Sequence, residues 1–246
     1  MATMPEAGAN MNELLGGRDL HPAGVDLARE QASSLARPRM RYTLAARFFF
    51  WSMDLVYGKT ITLPKVKLIE VLARIPYHAW EIRGYWNLTF QYHDAGKRAT
   101  ALELVELGRI SQDNEFWHLV MVMEKIREDR VRESKFWHYF LPLLIAFSYA
   151  VFARLLAVVH LRSSYYFNAM FEDHAEHEYA RFVKEHPELD QQPAQSEWAA
   201  AYAPGSTWGD VFRRVSLDER VHRNESLLKC GRAGQVAPYA EPSEAG

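Results

Sequence analysis

The sequence predicts an all-α protein. Apolar residues between Arg39 and Lys229 recur at i, i+3 and i+4, the breaks between these runs fall at turn residues, and no stretch alternates as a strand would.

Six helical stretches follow in order. The first, about Arg39–Tyr57, is ended by Gly58, and the second, about Pro64–Phe90, carries Glu70. The third, about Gly96–Arg127, carries Glu115 and His118. The fourth, about Ser134–Leu161, is strongly apolar. The fifth, about Ser163–Glu185, carries Glu172, and after a loop containing Pro193, Pro204 and Gly205 the sixth, about Thr207–Lys229, carries Glu219 and His222. Residues 1–38, with Pro5, Gly8, Gly16, Gly17, Pro22 and Gly24, read as an irregular arm, and residues 230–246 as a flexible tail. That leaves a helical domain over 39–229.

Composition narrows the function. A chain of 246 residues, 48% hydrophobic and 13% aromatic, can bury one large core. Its formal net charge is −2 and its bases are interspersed with acids, so there is no stripe for a polyanion and nucleic acid is not an expected partner. The lone Cys230 excludes an internal disulfide and a cysteine-based zinc cluster, so any metal must be held by oxygen and nitrogen. The first 38 residues lack an apolar signal core, and their acids argue against a transit peptide.

The words that carry chemistry are Asn114-Glu115-Phe116-Trp117-His118-Leu119 and Asp218-Glu219-Arg220-Val221-His222, the chain's two Glu-x-x-His pairs. A Glu and a His at i and i+3 project from one helix face, so both can bind one ion. With 21 Glu and 10 His, about one such pair is expected by chance. More telling is the chain order Glu, Glu-x-x-His, Glu, Glu-x-x-His, the ligand order of a ferritin-like four-helix bundle holding two irons. On residues alone, Glu81 competes with Glu70 on the second stretch, and Glu176 and Glu178 compete with Glu172 on the fifth.

Phe136–Ala153 contains no Asp, Glu, Lys or Arg and is almost long enough to cross a bilayer. The stretches flanking it hold Glu124 to Arg130 and Asp173, Glu176, Glu178 and Lys184, charge too costly to place in hydrocarbon. The expectation is therefore a helix lying in one leaflet, with Arg154 and His160 reaching the headgroups. Leu44, Phe48, Trp51 and Leu55 give the first stretch a second membrane-facing stripe.

Ile69-Glu70-Val71-Leu72-Ala73-Arg74-Ile75-Pro76-Tyr77 and Phe171-Glu172-Asp173-His174-Ala175-Glu176-His177-Glu178-Tyr179 complete the set. With Glu-x-x-Ala-x-x-Pro, Asn-Glu-x-x-His-Leu, Glu-x-His-Ala-x-x-x-Tyr and Asp-Glu-x-x-His in this order, the chain resembles the alternative oxidases over about Arg47–Glu225. Ala73-Arg74-Ile75-Pro76-Tyr77 and His174-Ala175 resemble the plastid terminal oxidase branch. The resemblance implies a di-iron quinol oxidase on one membrane leaflet that reduces dioxygen to water without pumping protons. It also implies a homodimer, using ubiquinol or plastoquinol, on the cytoplasmic face of a bacterial inner membrane or on a thylakoid or other energy-transducing membrane.

Carried over by motif, the iron ligands are Glu70, Glu115, His118, Glu172, Glu219 and His222. In the same register Tyr179 is a redox-active residue. Ile69, Phe171 and Ala175 line the quinol pocket beside it, His174 lines the pocket, Glu176 and Glu178 lie on a solvated face, and His177 is at the surface or just behind the ligands. Asn114 and Asp218 each precede a ligand Glu and are placed to orient the ligands by hydrogen bonding. Lys65 stands where many mitochondrial members have a quinol-binding Arg, which keeps the charge and loses the bidentate fork. Glu70 and Glu115 are 45 positions apart, longer than the family pattern, which puts an insertion around Gly96. The competing readings are a different di-iron enzyme, such as a quinone-biosynthesis hydroxylase, and a non-catalytic iron-binding membrane protein.

Overall fold

The computed structural model describes His21 and residues 24–240, and among these it is helical, with a single isolated bridge between Pro193 and Thr207 and no strand. The helices are α1 (Leu27–Ala36), α2 (Leu44–Tyr57), α3 (Leu63–Phe90), α4 (Ala95–Glu128), α5 (Leu141–Val159), α6 (Leu161–Glu185), α7 (Glu197–Tyr202) and α8 (Trp208–Lys229). The six expected stretches are present as α2 to α6 and α8, the first beginning at Leu44 and the fourth opening with a π-helical turn over Phe136–Phe140. The chain divides into two compact units, residues 44–168 and residues 1–43 with 169–246, and the boundary falls within α6.

In the unit of residues 44–168, α3 and α4 form a long hairpin. Asp94 caps α4 by accepting from the Lys97 amide at 3.0 Å, satisfying one of the four orphan donors of the first turn. Two glycines let the helices approach. A Cβ at Gly108 would lie 2.9 Å from the Tyr77 carbonyl oxygen and 3.0 Å from Glu81 Cβ, and one at Gly84 would lie 2.8 Å from Val105 Cγ2. Pro76 sits buried inside α3, where it removes the amide that would bond to the Leu72 carbonyl.

Helix α5 packs on α3 with a narrow face of Pro142, Tyr149, Ala153 and Ala157. Arg83 of α3 donates to the Ala157 and Val158 carbonyls, capping the α5 C-terminus where the helix dipole favours a cation. His160 then turns the chain directly into α6, its Nδ1 accepting from the Ser163 amide at 3.1 Å. The turn brings Phe167 back against Phe152 and Tyr149, with ring centroids 5.1 and 6.0 Å apart, and Phe49 of α2 joins this cluster at 4.8 Å from Tyr149. Phe136–Val159 has a mean hydropathy of 2.0 with 22% of its apolar window buried, so it is long and apolar enough to cross a membrane. Its outer face exposes Leu143, Phe147, Leu155, Val158 and Val159, and α2 exposes Leu44, Phe48, Trp51 and Leu55, the stripe expected from the sequence.

The other unit corrects the expectation of an irregular arm. Residues 27–36 are helical, begun by Asp26, which accepts from the Arg29 amide at 3.0 Å, and α1 buries Glu30 and Ser34. The face it buries is polar, so apolar periodicity gave no sign of it. Helix α1 packs on α8, which is capped by Thr207, and the short α7 is capped by Ser196. The tail is held as far as it is described. Ala237 is buried, its amide donates to Asn224 Oδ1 at 3.0 Å, and the Asn224 side chain returns a bond to its carbonyl at 2.8 Å. Residues 1–20 of the expected arm and 241–246 of the tail lie outside the described residues.

Two buried Glu and His triads

Each unit places two carboxylates and one imidazole together, sealed from solvent. In residues 44–168, Glu70 comes from α3 and Glu115 and His118 from one face of α4. Nδ1 of His118 lies 3.5 Å from Glu115 Oε2 and 3.6 Å from Glu70 Oε2, and all three side chains are fully buried. The α3 to α4 approach at Gly84 and Gly108 fixes their spacing. In the other unit, α6 supplies Glu172 and α8 supplies Glu219 and His222, with His222 Nδ1 3.8 Å from Glu219 Oε2. Within each triad the ligand atoms lie within 4.8 Å of one another.

The donor set fits a metal ion. Burying carboxylates is costly, and a bound cation would offset that cost in each triad. Hard carboxylate oxygens with one imidazole suit a divalent first-row ion. These buried Glu and His groups can hold a metal.

The remaining expected site residues are also in the interior. In the unit of residues 44–168, Ile69 and Asn114 are buried, and the Lys65 ammonium is buried between Asp54 Oδ1 at 2.7 Å and the Gly58 carbonyl at 3.1 Å, tying α3 to α2. In the other unit, Phe171, Ala175 and Tyr179 run along α6 at i, i+4 and i+8, all fully buried, and Tyr179 stacks on Phe212 with ring centroids 6.1 Å apart. Asp218 accepts from the Tyr202 hydroxyl at 2.7 Å and meets His21 Nε2 at 2.5 Å.

Glu176 and Glu178 are not on a solvated face, as the sequence suggested, but buried, and of the two places open to His177 the interior is the one observed. Arg220 Nε donates to Glu176 Oε1 at 2.8 Å, Ser34 donates to the same oxygen at 2.6 Å, and Arg37 pairs with Oε2. Arg39 bonds Glu178 at 2.7 Å and His174 Nδ1 at 2.9 Å. Because a guanidinium only donates, Nδ1 of His174 accepts and the ring proton is on Nε2. Asp173 collects the Met40 amide at 2.9 Å, the Tyr42 hydroxyl at 2.8 Å and Arg223 Nε at 3.0 Å. Among the described residues, Arg37 and Arg39 answer the α6 carboxylates from the amino-terminal side, well before the expected ligands. A run of polar residues, Arg37, Arg39 and Tyr42, was the only signal available to find them.

This network accounts for a third grouping of possible ligands, Asp173, Glu176 and His177. Both ring nitrogens of His177 face backbone carbonyl oxygens, those of Asp173 at 2.6 Å and Arg37 at 3.0 Å, so neither is available to a metal. Burial pushes the Glu176 carboxyl up, but the charges of Arg37 and Arg220 and the bonds from Arg37 and Ser34 outweigh it and hold the group below its ordinary value. Burial, then the Asp173 charge, push the Tyr42 phenol well up.

No protein-family model matches the chain, and no curated protein matches it in sequence.

Proposed function

We propose that the protein is a quinol oxidase with a non-haem di-iron centre in a ferritin-like bundle, seated on one leaflet of a membrane. The observation that carries the reading is the chemical equality of the two triads, each with two glutamates and one histidine, in the ligand order that the alternative oxidase resemblance requires. Four carboxylates and two imidazoles in this order are the ligand set that two irons would take.

When bound, an iron pair supplies the redox steps by which dioxygen takes four electrons from two quinols and becomes two waters. The chain's own residues do the rest. The four glutamates offset the cationic charge, and His118 and His222 complete one ligand set each. Asn114 and Asp218 orient the ligands beside them, and the Tyr202 hydroxyl holds the Asp218 carboxylate in place. The buried surroundings of Tyr179 exclude water from its phenol, which is assigned to pass an electron and a proton. Ile69 in one unit, and Phe171 and Ala175 in the other, are the apolar residues that the resemblance assigns to quinol. Lys65 pairs with Asp54 at 2.7 Å, so its part in quinol binding is electrostatic.

Two features support the membrane assignment. The outer faces of α2 and α5 expose contiguous large apolar side chains, more than a water-facing surface ordinarily carries. The chain turns at His160 directly from α5 into α6, whose sequence carries Asp173, Glu176, Glu178 and Lys184, charge too costly for hydrocarbon.

The test is oxygen uptake by membranes containing the protein, supplied with quinol and with cyanide present to silence haem–copper oxidases. Cyanide-resistant uptake that yields quinone and water, and disappears in Glu115→Ala, is the expected result. Oxygen inserted into an organic product would favour a hydroxylase, and iron binding without quinol-dependent uptake would reduce the protein to an iron binder.

A further inference from the structure

The interior of the unit of residues 44–168 contains a line of oxidisable aromatic rings that neither the triad nor the quinol reading uses. Tyr77 and Trp80 of α3 meet edge to face with centroids 5.1 Å apart, and Trp80 meets Tyr165 of α6 at 4.5 Å. The line is held by polar bonds as well as packing. The Trp80 indole donates to the Ser164 hydroxyl at 2.8 Å, and the Asn168 amide donates to the Tyr77 hydroxyl at 3.0 Å. Ser164 and Asn168 lie one turn apart on α6, so one helix face anchors both inner rings.

The inner end of the line is near the triad. Tyr77 follows Glu70 by seven residues, two turns on along the same helix face, about 10 Å along the axis at 1.5 Å per residue. The neighbouring helix gives the same spacing, because Gly108, whose Cβ position touches the Tyr77 carbonyl, precedes Glu115 by seven residues. The outer end leads away. Tyr165, on α6, is buried but, at 6% exposed, less completely than Trp80. Electron tunnelling decays exponentially with distance, so short steps between adjoining rings outrun one long step.

We propose that Tyr77, Trp80 and Tyr165 form a relay that drains oxidising equivalents away from the Glu70, Glu115, His118 triad when quinol is scarce. The relay rests on the di-iron reading above. In its steps, Tyr77 gives up one electron and its phenolic proton, Trp80 returns an electron to Tyr77, and Tyr77 recovers its proton. Tyr165 in turn re-reduces Trp80 and releases its own phenolic proton. A one-electron reductant of the thiol class then restores Tyr165 to the phenol. The balance is one thiol oxidised to a thiyl radical, with one electron delivered inward and one proton released to solvent.

The experiment uses the full-length protein loaded with ferrous iron and exposed to oxygen without quinol, followed by peptide mapping of oxidised residues and by freeze-quench electron paramagnetic resonance. Wild type is expected to show a transient aromatic radical and to accumulate oxidised Trp80 and Tyr165, both suppressed by added thiol. Tyr165→Phe should shift the damage to Trp80. Trp80→Phe keeps a ring and should lose iron-binding capacity several-fold faster, with oxidation moved to Tyr77 and the ligand residues. Wild type and both variants showing the same radical, the same damage map and the same loss of iron capacity would overturn the relay while leaving the iron site intact. A wild-type protein that takes up no iron would overturn the relay and the di-iron reading together, so the iron load, measured first, tells the two failures apart.

Discussion

Arg220 Nε donates to Glu176 Oε1 at 2.8 Å, with both side chains closed off from solvent. The same guanidinium pairs with Glu30 and donates through Nη2 to the Ser34 hydroxyl at 2.8 Å, so one buried cation ties α8 to α6 and α1. A buried ion pair adds little net stability over a well-packed apolar pair, but breaking it leaves an uncompensated charge. Replacing Arg220 by Met should therefore cost about 3–5 kcal/mol, most of it from the stranded Glu30 and Glu176 carboxylates. Urea unfolding measures this, and the double variant Arg220→Met with Glu176→Gln should recover part of the loss.

The same network sets a pH dependence. The folded Glu176 carboxyl lies below its ordinary value of 4.5, so its contribution to stability is fully present above that pH and is lost as the pH falls through the lower folded value. The urea midpoint should therefore drop on acidification below about pH 4.5. The Glu176→Gln protein, starting less stable, should show a shallower acid limb.

Most of the helical frame was legible because apolar periodicity marks where a helix packs. That signal located α3, α4 and α8 to within a residue or two and placed the two Glu-x-x-His pairs correctly on their helices. The same signal failed where burial is polar. Glu176 and Glu178 looked solvated because a carboxylate inside a protein needs a partner, and theirs include Arg37 and Arg39, 139 residues away in sequence. Helix α1 was missed for the matching reason, since its buried side chains are Glu30 and Ser34. A local pattern cannot register an ion pair closed by the chain's return. The triads were readable because motif spacing encodes them, whereas the Tyr77, Trp80, Tyr165 line joins two helices that no motif relates.

The α3 to α4 approach gives a third prediction. Gly108→Ala introduces a Cβ 2.9 Å from a backbone oxygen, which cannot rotate away, so the helices must separate. Overpacking of this kind costs about 1–3 kcal/mol, visible as a lowered thermal midpoint. Because Glu70 faces Glu115 and His118 across this hairpin, the variant should also bind iron more weakly. Gly96→Ala, whose Cβ would meet nothing closer than Asp94 Oδ1 at 3.5 Å, is the control and should do neither.

The most direct test of the account is the iron content of purified protein, by elemental analysis after anaerobic loading with ferrous ion, for wild type, Glu115→Ala and His222→Ala. The account predicts about two irons per chain in wild type, because six ligands in two triads serve two ions, and a marked loss in each variant. A wild-type load of zero, or a double variant that keeps the full load, would contradict it.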